Sequence, residues 1–365
     1  MAKLAVIGDT HLDRSLFGYD LSDKIYKTLN EFFELCKKNK VGRAVHLGDF
    51  FDTPRPSQEH LGLLISWCRL FESEGIYLDI LVGNHEVVSG STISSALEIV
   101  KTVGFKYVRV VDQCRTTNCP VMGHKILYLP FPSPHLYPTP KSYESHIESV
   151  FKGLGEGKVT VFSHLNLQNV FYNQQEWVYR GKDYFIPSYI MQDPRVDKIY
   201  SGHIHYHQIV DNLIVVGAAN KLRMSEKDNP TLFFLDGEPV KSRTPINLIQ
   251  TDIVASSQSE LDNFMEEDNN NYKSSVVKIN PTSRSRDAVN WSVLVDKLYS
   301  LGADHVKMLP VKIIEVIEAS ELSVEVKSKS NDDRFLEWLY LSKDLTTEDK
   351  ERIYLKFKKL LDNNV

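Results

Sequence analysis

The sequence predicts an α/β protein, and two observations carry that prediction. From residue 3 to about residue 100, short apolar runs of strand length alternate with segments whose apolar residues recur at helical spacing. Along the chain, several apolar runs end in a small residue, and Asp, Asn or His follows directly. Because alternating strands and helices build βαβ units, this order favours a largely parallel sheet.

Elements can be placed in chain order from these patterns. Helices are predicted at residues 23–39, with Ser22 as N-cap, and around Leu61, Leu64, Ile65, Cys68 and Phe71, with a further one at residues 142–152. Strands are predicted at residues 3–8, 43–47, 76–82, 107–111, 125–129, 158–162, 197–201, 213–217 and 231–235. Residues 166–184 mix polar and aromatic side chains without a helical or strand period.

Composition shifts near Gly237, where a small α+β module is predicted to begin. Its strands are expected at residues 247–254, 275–279 and 311–317, and its helices at residues 258–266 and 287–301. A polar stretch at residues 320–333 is predicted to be a linker. A last helix is predicted after it, with one apolar face formed by Ile353, Phe357, Leu360 and Leu361. We therefore predict domains at residues 1–240 and 245–320 and a helical segment at residues 334–365.

Charge and composition limit the classes of partner. The 365 residues include 43 basic and 48 acidic side chains, which gives a net charge of −5. A protein that held a DNA duplex alone would usually be more basic. Either the substrate is not nucleic acid, or a partner contributes part of the DNA-binding surface.

No run of about 18 apolar residues exists, which predicts no membrane span. The first strand begins by Lys3, leaving no room for a signal peptide, and the four cysteines are expected to be reduced thiols of a cytoplasmic protein.

The polar residues that follow the apolar runs form one candidate site. They are Asp9, His11, Asp49, Asn84, His85, His164, His203 and His205. Carboxylates, an amide and imidazoles together suit divalent Mn, Fe or Zn, and eight groups suit two ions that share a bridging carboxylate. His85 adjoins a candidate ligand and is the spare imidazole, able to protonate a leaving oxygen. Any one of these motifs, alone, would more often be part of an ordinary turn. The prediction of a metal site therefore depends on their recurrence after several apolar runs.

These motifs resemble those of the calcineurin-like metallophosphoesterases. The segments are Gly8-Asp9-Thr10-His11, Gly48-Asp49, Gly83-Asn84-His85-Glu86, His164 and Gly202-His203-Ile204-His205. Within that superfamily, Gly48-Asp49-Phe50-Phe51-Asp52 followed by Arg55-Pro56-Ser57 resembles the SbcD-type and phage recombination nuclease subunits of double-strand-break repair. Tyr179-Arg180-Gly181 is similar to the phage members.

The resemblance implies a fold and a set of residue roles. It implies a two-sheet sandwich flanked by helices, with residues 245–320 as a capping domain. Asp9, His11 and His205 would hold one metal ion, Asn84, His164 and His203 the other, and Asp49 would bridge them. His85 would be the catalytic histidine, and the implied metal is Mn. Glu86 stands where the superfamily usually has Asp, and we expect little effect; Asp52 stands where some of these nucleases have His, and receives no catalytic role.

The resemblance also implies partners. DNA would be the substrate of exonuclease and single-strand endonuclease activity, and residues 334–365 would bind an SbcC-like coiled-coil ATPase, with a homodimer inside a heterotetramer. The location would be the cytoplasm of a bacterial or phage-infected cell. Candidates for substrate contact are Arg55, Tyr172, Arg180 and Lys182, with Lys221 and Arg223. A phosphatase or phosphodiesterase acting on a small molecule or phosphoprotein, and a scaffold without catalysis, remain the alternatives.

Overall fold

The computed structural model describes residues 3–87, 95–167, 171–172, 175–176, 183–224, 226, 232–268, 270–283 and 289–313. Residues 1–314 form one compact unit. The predicted linker at residues 320–333 and the predicted helical segment at residues 334–365 lie outside the described residues. Among the described residues, no helix combines the length and apolarity needed to cross a bilayer.

The helices and strands occur in the following chain order. The helices are α1 (Ser22–Lys38), α2 (Gln58–Glu74), α3 (Glu98–Val103), α4 (Pro140–Lys152), α5 (Ser188–Met191), α6 (Gln258–Glu267) and α7 (Trp291–Ser300). The first ten strands are β1 (Lys3–Ile7), β2 (Ser15–Leu16), β3 (Tyr19–Asp20), β4 (Val41–His46), β5 (Tyr77–Leu81), β6 (Val108–Val111), β7 (Arg115–Cys119), β8 (His124–Leu129), β9 (Val159–Ser163) and β10 (Phe171–Tyr172). The others are β11 (Gln175–Glu176), β12 (Val196–Ser201), β13 (Gln208–Val210), β14 (Leu213–Val215), β15 (Leu232–Leu235), β16 (Glu238–Lys241), β17 (Asn247–Val254), β18 (Ser275–Ser283), β19 (His305–Met308) and β20 (Lys312–Ile313).

Two six-stranded sheets form the main body. The first has the order β16-β15-β1-β4-β5-β6, and the second has the order β13-β14-β12-β9-β8-β7. In the first sheet β1, β4, β5 and β6 are parallel, and antiparallel strands β15 and β16 complete one edge. In the second sheet β14, β12, β9 and β8 are parallel, and antiparallel strands β13 and β7 complete both edges. Side chains of both sheets, such as Val45, Leu81, Phe162 and Tyr200, share one buried cluster, so the sheets pack face to face. The predicted α/β fold with a two-sheet sandwich is confirmed.

Helices cover the outer face of each sheet. On the first sheet, α1 and α2 bury Phe32, Phe33, Trp67 and Phe71 in one core. On the second sheet, α4 and α5 contribute Tyr143, Ile147, Phe151 and Ile190. Both α1 and α2 bury one apolar face at the spacing that the sequence predicts. The sheets are thereby held between helical layers, and their carboxyl edges stay open.

One cap prediction is wrong. Ser22 is the first residue inside α1, and Leu21 occupies the N-cap position without a side-chain hydrogen bond. The carboxylate of Asp20 instead accepts the N–H of Ser22 at 2.8 Å. An acceptor two residues upstream therefore satisfies a free amide of the first turn, which the capping residue usually does.

The third sheet forms the α+β module after residue 246. Its strands β17, β18, β19 and β20 pair in parallel, and α6 and α7 pack on one face around Trp291 and Leu294. The module contacts α1, because Lys24 Nζ donates to the carbonyl of Ser274 at 3.0 Å and pairs with Asp304. Of the strand predicted at residues 311–317, the structure describes β20 (Lys312–Ile313), and residues 314–317 lie outside the described residues. The domain limits at 240 and 245 stay predictions.

The sequence pattern does not predict strands β7, β10 and β11. β7 carries the sequence Arg-Thr-Thr-Asn-Cys, and β10 and β11 form a short antiparallel pair within the stretch that showed no period. Edge strands bury little of their surface, so their residues need not alternate between apolar and polar.

All four cysteines are free and buried.

Candidate metal centre

The candidate residues meet at the carboxyl edges of the two sheets. Asp9 and His11 follow β1, Asp49 follows β4, and Asn84 and His85 follow β5. His164 follows β9, and His203 and His205 follow β12. Parallel strands present their carboxyl ends at one edge, so facing sheets bring these loops to one cleft. The cleft has a volume of about 150 Å³ and is lined by His11, Arg14, Asp49, Asp52, Asn84, His85, His203, His205, Leu222 and Arg223.

Asp9, His11 and His205 form the first cluster. One ligand atom from each lies within 4.8 Å of the others, and the Nε2 atoms of His11 and His205 are 3.2 Å apart. Asp9 is fully buried, and its carboxylate oxygens accept the backbone N–H of His203 at 2.9 and 3.1 Å. Two imidazole nitrogens that face each other beside a buried carboxylate are an arrangement that a divalent cation satisfies.

Asp49, His164 and His203 form the second cluster. Oδ1 of Asn84 lies 3.2 Å from Nε2 of His164 and 2.8 Å from Nδ1 of His203. The amide oxygen thus converges with imidazole nitrogens and a carboxylate. The predicted second ligand set is brought together at one point.

Asp49 lies between the two clusters. Its Oδ2 is 3.8 Å from Nε2 of His11, and its Oδ1 is 3.3 Å from Nε2 of His164. Burial opposes the charge of Asp49, yet the imidazoles of His164 and His11 hold the pKa of this carboxyl well below its usual range. A carboxylate that stays ionised with one oxygen toward each cluster fits the bridging role that the resemblance implies.

The remaining ring nitrogens of the four candidate ligand histidines face oxygen atoms. Nδ1 of His164 lies 2.8 Å from the carbonyl of Leu47, and Nε2 of His203 lies 2.9 Å from Oδ1 of Asn166. Nδ1 of His205 lies 3.2 Å from Glu226, and Nδ1 of His11 lies 3.2 Å from Asp52. Such outer contacts orient imidazole ligands toward a metal. Asn166, Glu226 and Asp52 were not among the predicted site residues.

Close backbone approach explains two of the motif glycines. A Cβ at Gly48 would lie 2.5 Å from Nδ1 of His164, and one at Gly83 would lie 2.2 Å from Oδ1 of Asp49. Either position therefore excludes a larger residue while the candidate ligands keep their places. Both glycines serve the packing of the site.

Glu86 joins the loops after β4 and β5. Its buried carboxylate accepts the backbone N–H groups of Gly83 at 2.7 Å, Phe51 at 2.9 Å and Asp49 at 3.2 Å. Burial, together with the nearby charge of Asp49, raises the pKa of Glu86 to about 8. Glu86 is thus outside the ligand set, as expected, but it holds the backbone of the candidate bridging residue.

His85 lies at the mouth of the cleft. Its Nδ1 is 2.7 Å from the backbone carbonyl of Asp52, and its side chain is 36% exposed. Its Nε2 lies 4.0 Å from Oδ2 of Asp49. The Asp52 carboxylate also accepts a hydrogen bond from Arg14 at 2.8 Å. The ring is therefore anchored on one side and presents its other nitrogen near the candidate metal centre.

Several candidate ligands have left-handed backbone conformations. The φ angles are 51° at His11, 49° at Asp49 and 72° at His203. His, Asp and Asn adopt this region more readily than other non-glycine residues, but it remains uncommon. The tight turns after the strands require it, and they aim these side chains into the cleft.

The predicted substrate contacts lie only partly within the described residues. Arg55 is exposed and is not among the described residues that line the cleft. Tyr172 belongs to β10, and Arg180 and Lys182 lie outside the described residues. The roles of all four residues stay predictions. The arginines that do line the cleft are Arg14, which sequence reasoning missed, and Arg223, which it named.

Comparison with known proteins decides the family. The model of the calcineurin-like phosphoesterases matches residues 2–207, which is more than half of the chain. The chain belongs to this family. Its members hold two divalent metal ions and hydrolyse phosphoesters, and the His and Asp clusters described above are able to hold metals. No curated protein sequence matches the chain.

Several solved structures are similar to this family member at low identity. A dimetal phosphatase from Danio rerio is 12% identical, with a TM-score of 0.41, and the match covers 60% of this chain and 87% of the phosphatase. A Pseudomonas putida nuclease named MPE is 16% identical, with a TM-score of 0.26 and coverage of 49% and 65%. A cold-active protein-tyrosine phosphatase from a Shewanella species is 16% identical, with a TM-score of 0.30 and coverage of 66% and 80%.

Proposed function

We propose that this phosphoesterase hydrolyses the phosphodiester bonds of DNA as the nuclease subunit of a repair or recombination complex. The second motif carries the proposal, because Gly48 to Asp52, followed by Arg55-Pro56-Ser57, resembles nuclease subunits. The cleft fits the same chemistry, because Arg14 and Arg223 line it beside the candidate metal ligands and guanidinium groups bind phosphate oxygens.

Different residues of the cleft would bind the metal ions, donate a proton and bind the phosphate group. Asp9, His11, Asp49, Asn84, His164, His203 and His205 would hold two divalent ions, for which we propose Mn. Such ions lower the pKa of bound water and neutralise charge on the phosphoryl oxygens. His85 is held through Nδ1 by the carbonyl of Asp52, and its Nε2 would donate a proton to the leaving oxygen. Arg14 and Arg223 line the cleft, where each guanidinium would bind a phosphate oxygen.

A substrate panel tests the proposal. Labelled single-stranded and double-stranded DNA, bis-p-nitrophenyl phosphate and p-nitrophenyl phosphate are each incubated with the full chain and either Mn²⁺ or Mg²⁺. We expect cleavage of DNA and of the diester with Mn²⁺, and loss of both reactions after chelation with EDTA. Hydrolysis of the monoester without any cleavage of DNA would contradict the proposal.

A phosphatase acting on a small molecule or phosphoprotein is the second candidate. The net charge of −5 favours it, because a chain that binds DNA alone usually carries a basic excess. The monoester arm of the same panel tests this candidate. An ATPase partner that contributes its own DNA-binding surface would reconcile the acidic balance with a nuclease.

We also propose that residues 334–365 bind an SbcC-like coiled-coil ATPase, with two copies of each subunit in the complex and a cytoplasmic location. The apolar face formed by Ile353, Phe357, Leu360 and Leu361 supports this, because an amphipathic helix must bury its apolar side. Deletion of residues 334–365 should leave a metal-loaded phosphoesterase that no longer co-purifies with the ATPase. Undiminished co-purification would exclude the segment as the docking element, and loss of folding would favour a segment that packs on its own chain.

A further inference from the structure

Glu226 connects the first metal cluster with the chain segment at the rim of the cleft. We propose that it is a positioning residue that sets the ring orientation of His205 and the placement of Arg223 together. Its side chain is 3% exposed. Oε1 lies 3.2 Å from Nδ1 of His205, whereas Oε2 accepts the backbone N–H groups of Leu222 at 2.7 Å and Arg223 at 3.2 Å. The inference rests on family membership and does not depend on DNA as the substrate.

The contact with His205 determines which nitrogen faces the metal centre. A carboxylate only accepts hydrogen bonds, so Nδ1 of His205 must carry a proton to bond with Glu226. Nε2 is then the nitrogen available as a ligand, and it is this atom that lies 3.2 Å from Nε2 of His11. The Glu226 contact thus selects the tautomer that the first cluster requires.

The second oxygen of Glu226 holds the rim of the cleft. Leu222 and Arg223 line the cleft, and the N–H of Glu226 donates back to the carbonyl of Arg223 at 3.1 Å, which closes a turn. The same segment is joined to the metal cluster at its start, because the N–H of Ala219 donates to the carbonyl of Asp9 at 3.0 Å. Arg223 therefore extends from a turn whose geometry depends on Glu226.

Replacement by glutamine separates the two contacts without changing the size of the side chain. An amide has a single acceptor oxygen, so Glu226→Gln cannot face both His205 and the two backbone N–H groups as an acceptor. If the oxygen keeps the turn, the NH₂ group faces Nδ1 of His205 and favours the wrong tautomer. If the amide flips, its NH₂ group faces two N–H donors and the turn is released. In either orientation, one contact is lost.

Metal titration of the full chain tests the inference. We expect Glu226→Gln to weaken Mn²⁺ binding by about 10–100-fold if its NH₂ group faces His205, the usual effect of removing an outer partner of a histidine ligand. If the amide flips, Mn²⁺ binding should stay unchanged and inhibition by inorganic phosphate should weaken, because the turn that carries Arg223 is released. Glu238→Gln makes the same chemical change at an exposed carboxyl on β16 and should leave Mn²⁺ binding unchanged. Arg223→Ala should also keep Mn²⁺ affinity, because it removes only a side chain at the rim of the cleft. It should weaken the inhibition of bis-p-nitrophenyl phosphate hydrolysis by inorganic phosphate.

A measurement on the wild-type protein covers the case in which Glu226→Gln does not fold. In protein loaded with Zn²⁺, nitrogen NMR of the imidazole rings should show a proton on Nδ1 of His205, with His205→Asn used for assignment. Absence of that proton would overturn the inference. A folded Glu226→Gln protein with both wild-type Mn²⁺ affinity and wild-type inhibition by inorganic phosphate would also overturn it, because one of the two contacts must be lost in either orientation of the amide. Neither readout involves DNA, so a failed nuclease assay leaves these outcomes interpretable.

Discussion

Gly83→Ala perturbs the metal centre through a single added carbon. A Cβ at this position would lie 2.2 Å from Oδ1 of Asp49 and 2.3 Å from its backbone nitrogen, whereas ordinary contact begins at 3.4 Å. The second clash involves the backbone, so rotation of the Asp49 side chain cannot relieve it. The φ angle of Gly83 is not in the left-handed region, so the expected damage is steric.

The magnitude follows from that overlap. The loop after β4 or the loop after β5 must shift by about 1 Å, and a displacement of this size in a catalytic site costs about 10²-fold in rate. Overpacking in a buried region destabilises a protein by about 1–3 kcal/mol. Because Asp49 faces both clusters, we expect Mn²⁺ binding at both to weaken in the variant.

Gly62→Ala is the matched control. Gly62 is exposed on α2, and a Cβ there meets nothing within 4 Å. Alanine in a helix interior stabilises by about 0.5–1 kcal/mol relative to glycine, so the control should raise the melting temperature and keep activity. Thermal unfolding, Mn²⁺ calorimetry and hydrolysis of bis-p-nitrophenyl phosphate give the three readouts. A Gly83→Ala protein with two metal equivalents and wild-type turnover would refute the reasoning.

Three further predictions concern the ligands and the thiols. Asp49→Ala should weaken both metal ions together, and two full equivalents in the purified variant by elemental analysis would contradict the bridging role. His85→Gln should retain metal content and lose about 10²–10⁴-fold in turnover; full activity on DNA would exclude His85 as the proton donor. All four cysteines should resist Ellman's reagent in the native state and react after unfolding, because they are buried and burial raises the pKa of Cys114 to about 12, with Cys36 and Cys68 higher still. Rapid labelling of folded protein would contradict that burial.

The ligand positions could be predicted because each follows a strand. Strand ends are visible as an apolar run, a glycine or serine, and a polar residue, and parallel strands place those ends at one edge. Asp9, Asp49, Asn84 and His164 therefore come together in the fold although up to 155 residues separate them. The sandwich itself came from the family resemblance, because periodicity does not reveal how strands divide between two sheets.

The partners around the ligands could not be predicted in the same way. Glu226 lies 21 residues after His205 in a turn without any period, and only tertiary structure brings its carboxylate to that ring. Asp52 received no role from sequence, yet its carbonyl and carboxylate contact His85, His11 and Arg14. The prediction of Ser22 as the cap is wrong because a local pattern cannot show that α1 begins one residue earlier, with Leu21 at the N-cap position and the N–H of Ser22 bonded to Asp20.

The left-handed conformations of His11, Asp49 and His203 set catalysis against conformational stability. Each such residue costs roughly 1–3 kcal/mol unless its surroundings compensate, and glycine at the same positions would remove most of that cost. A lineage under selection for stability alone would therefore accumulate glycine there and lose its ligands. His, Asp and His in these turns therefore place metal ligands at the expense of backbone stability, and unfolding of apoprotein variants with glycine at these positions would measure that cost.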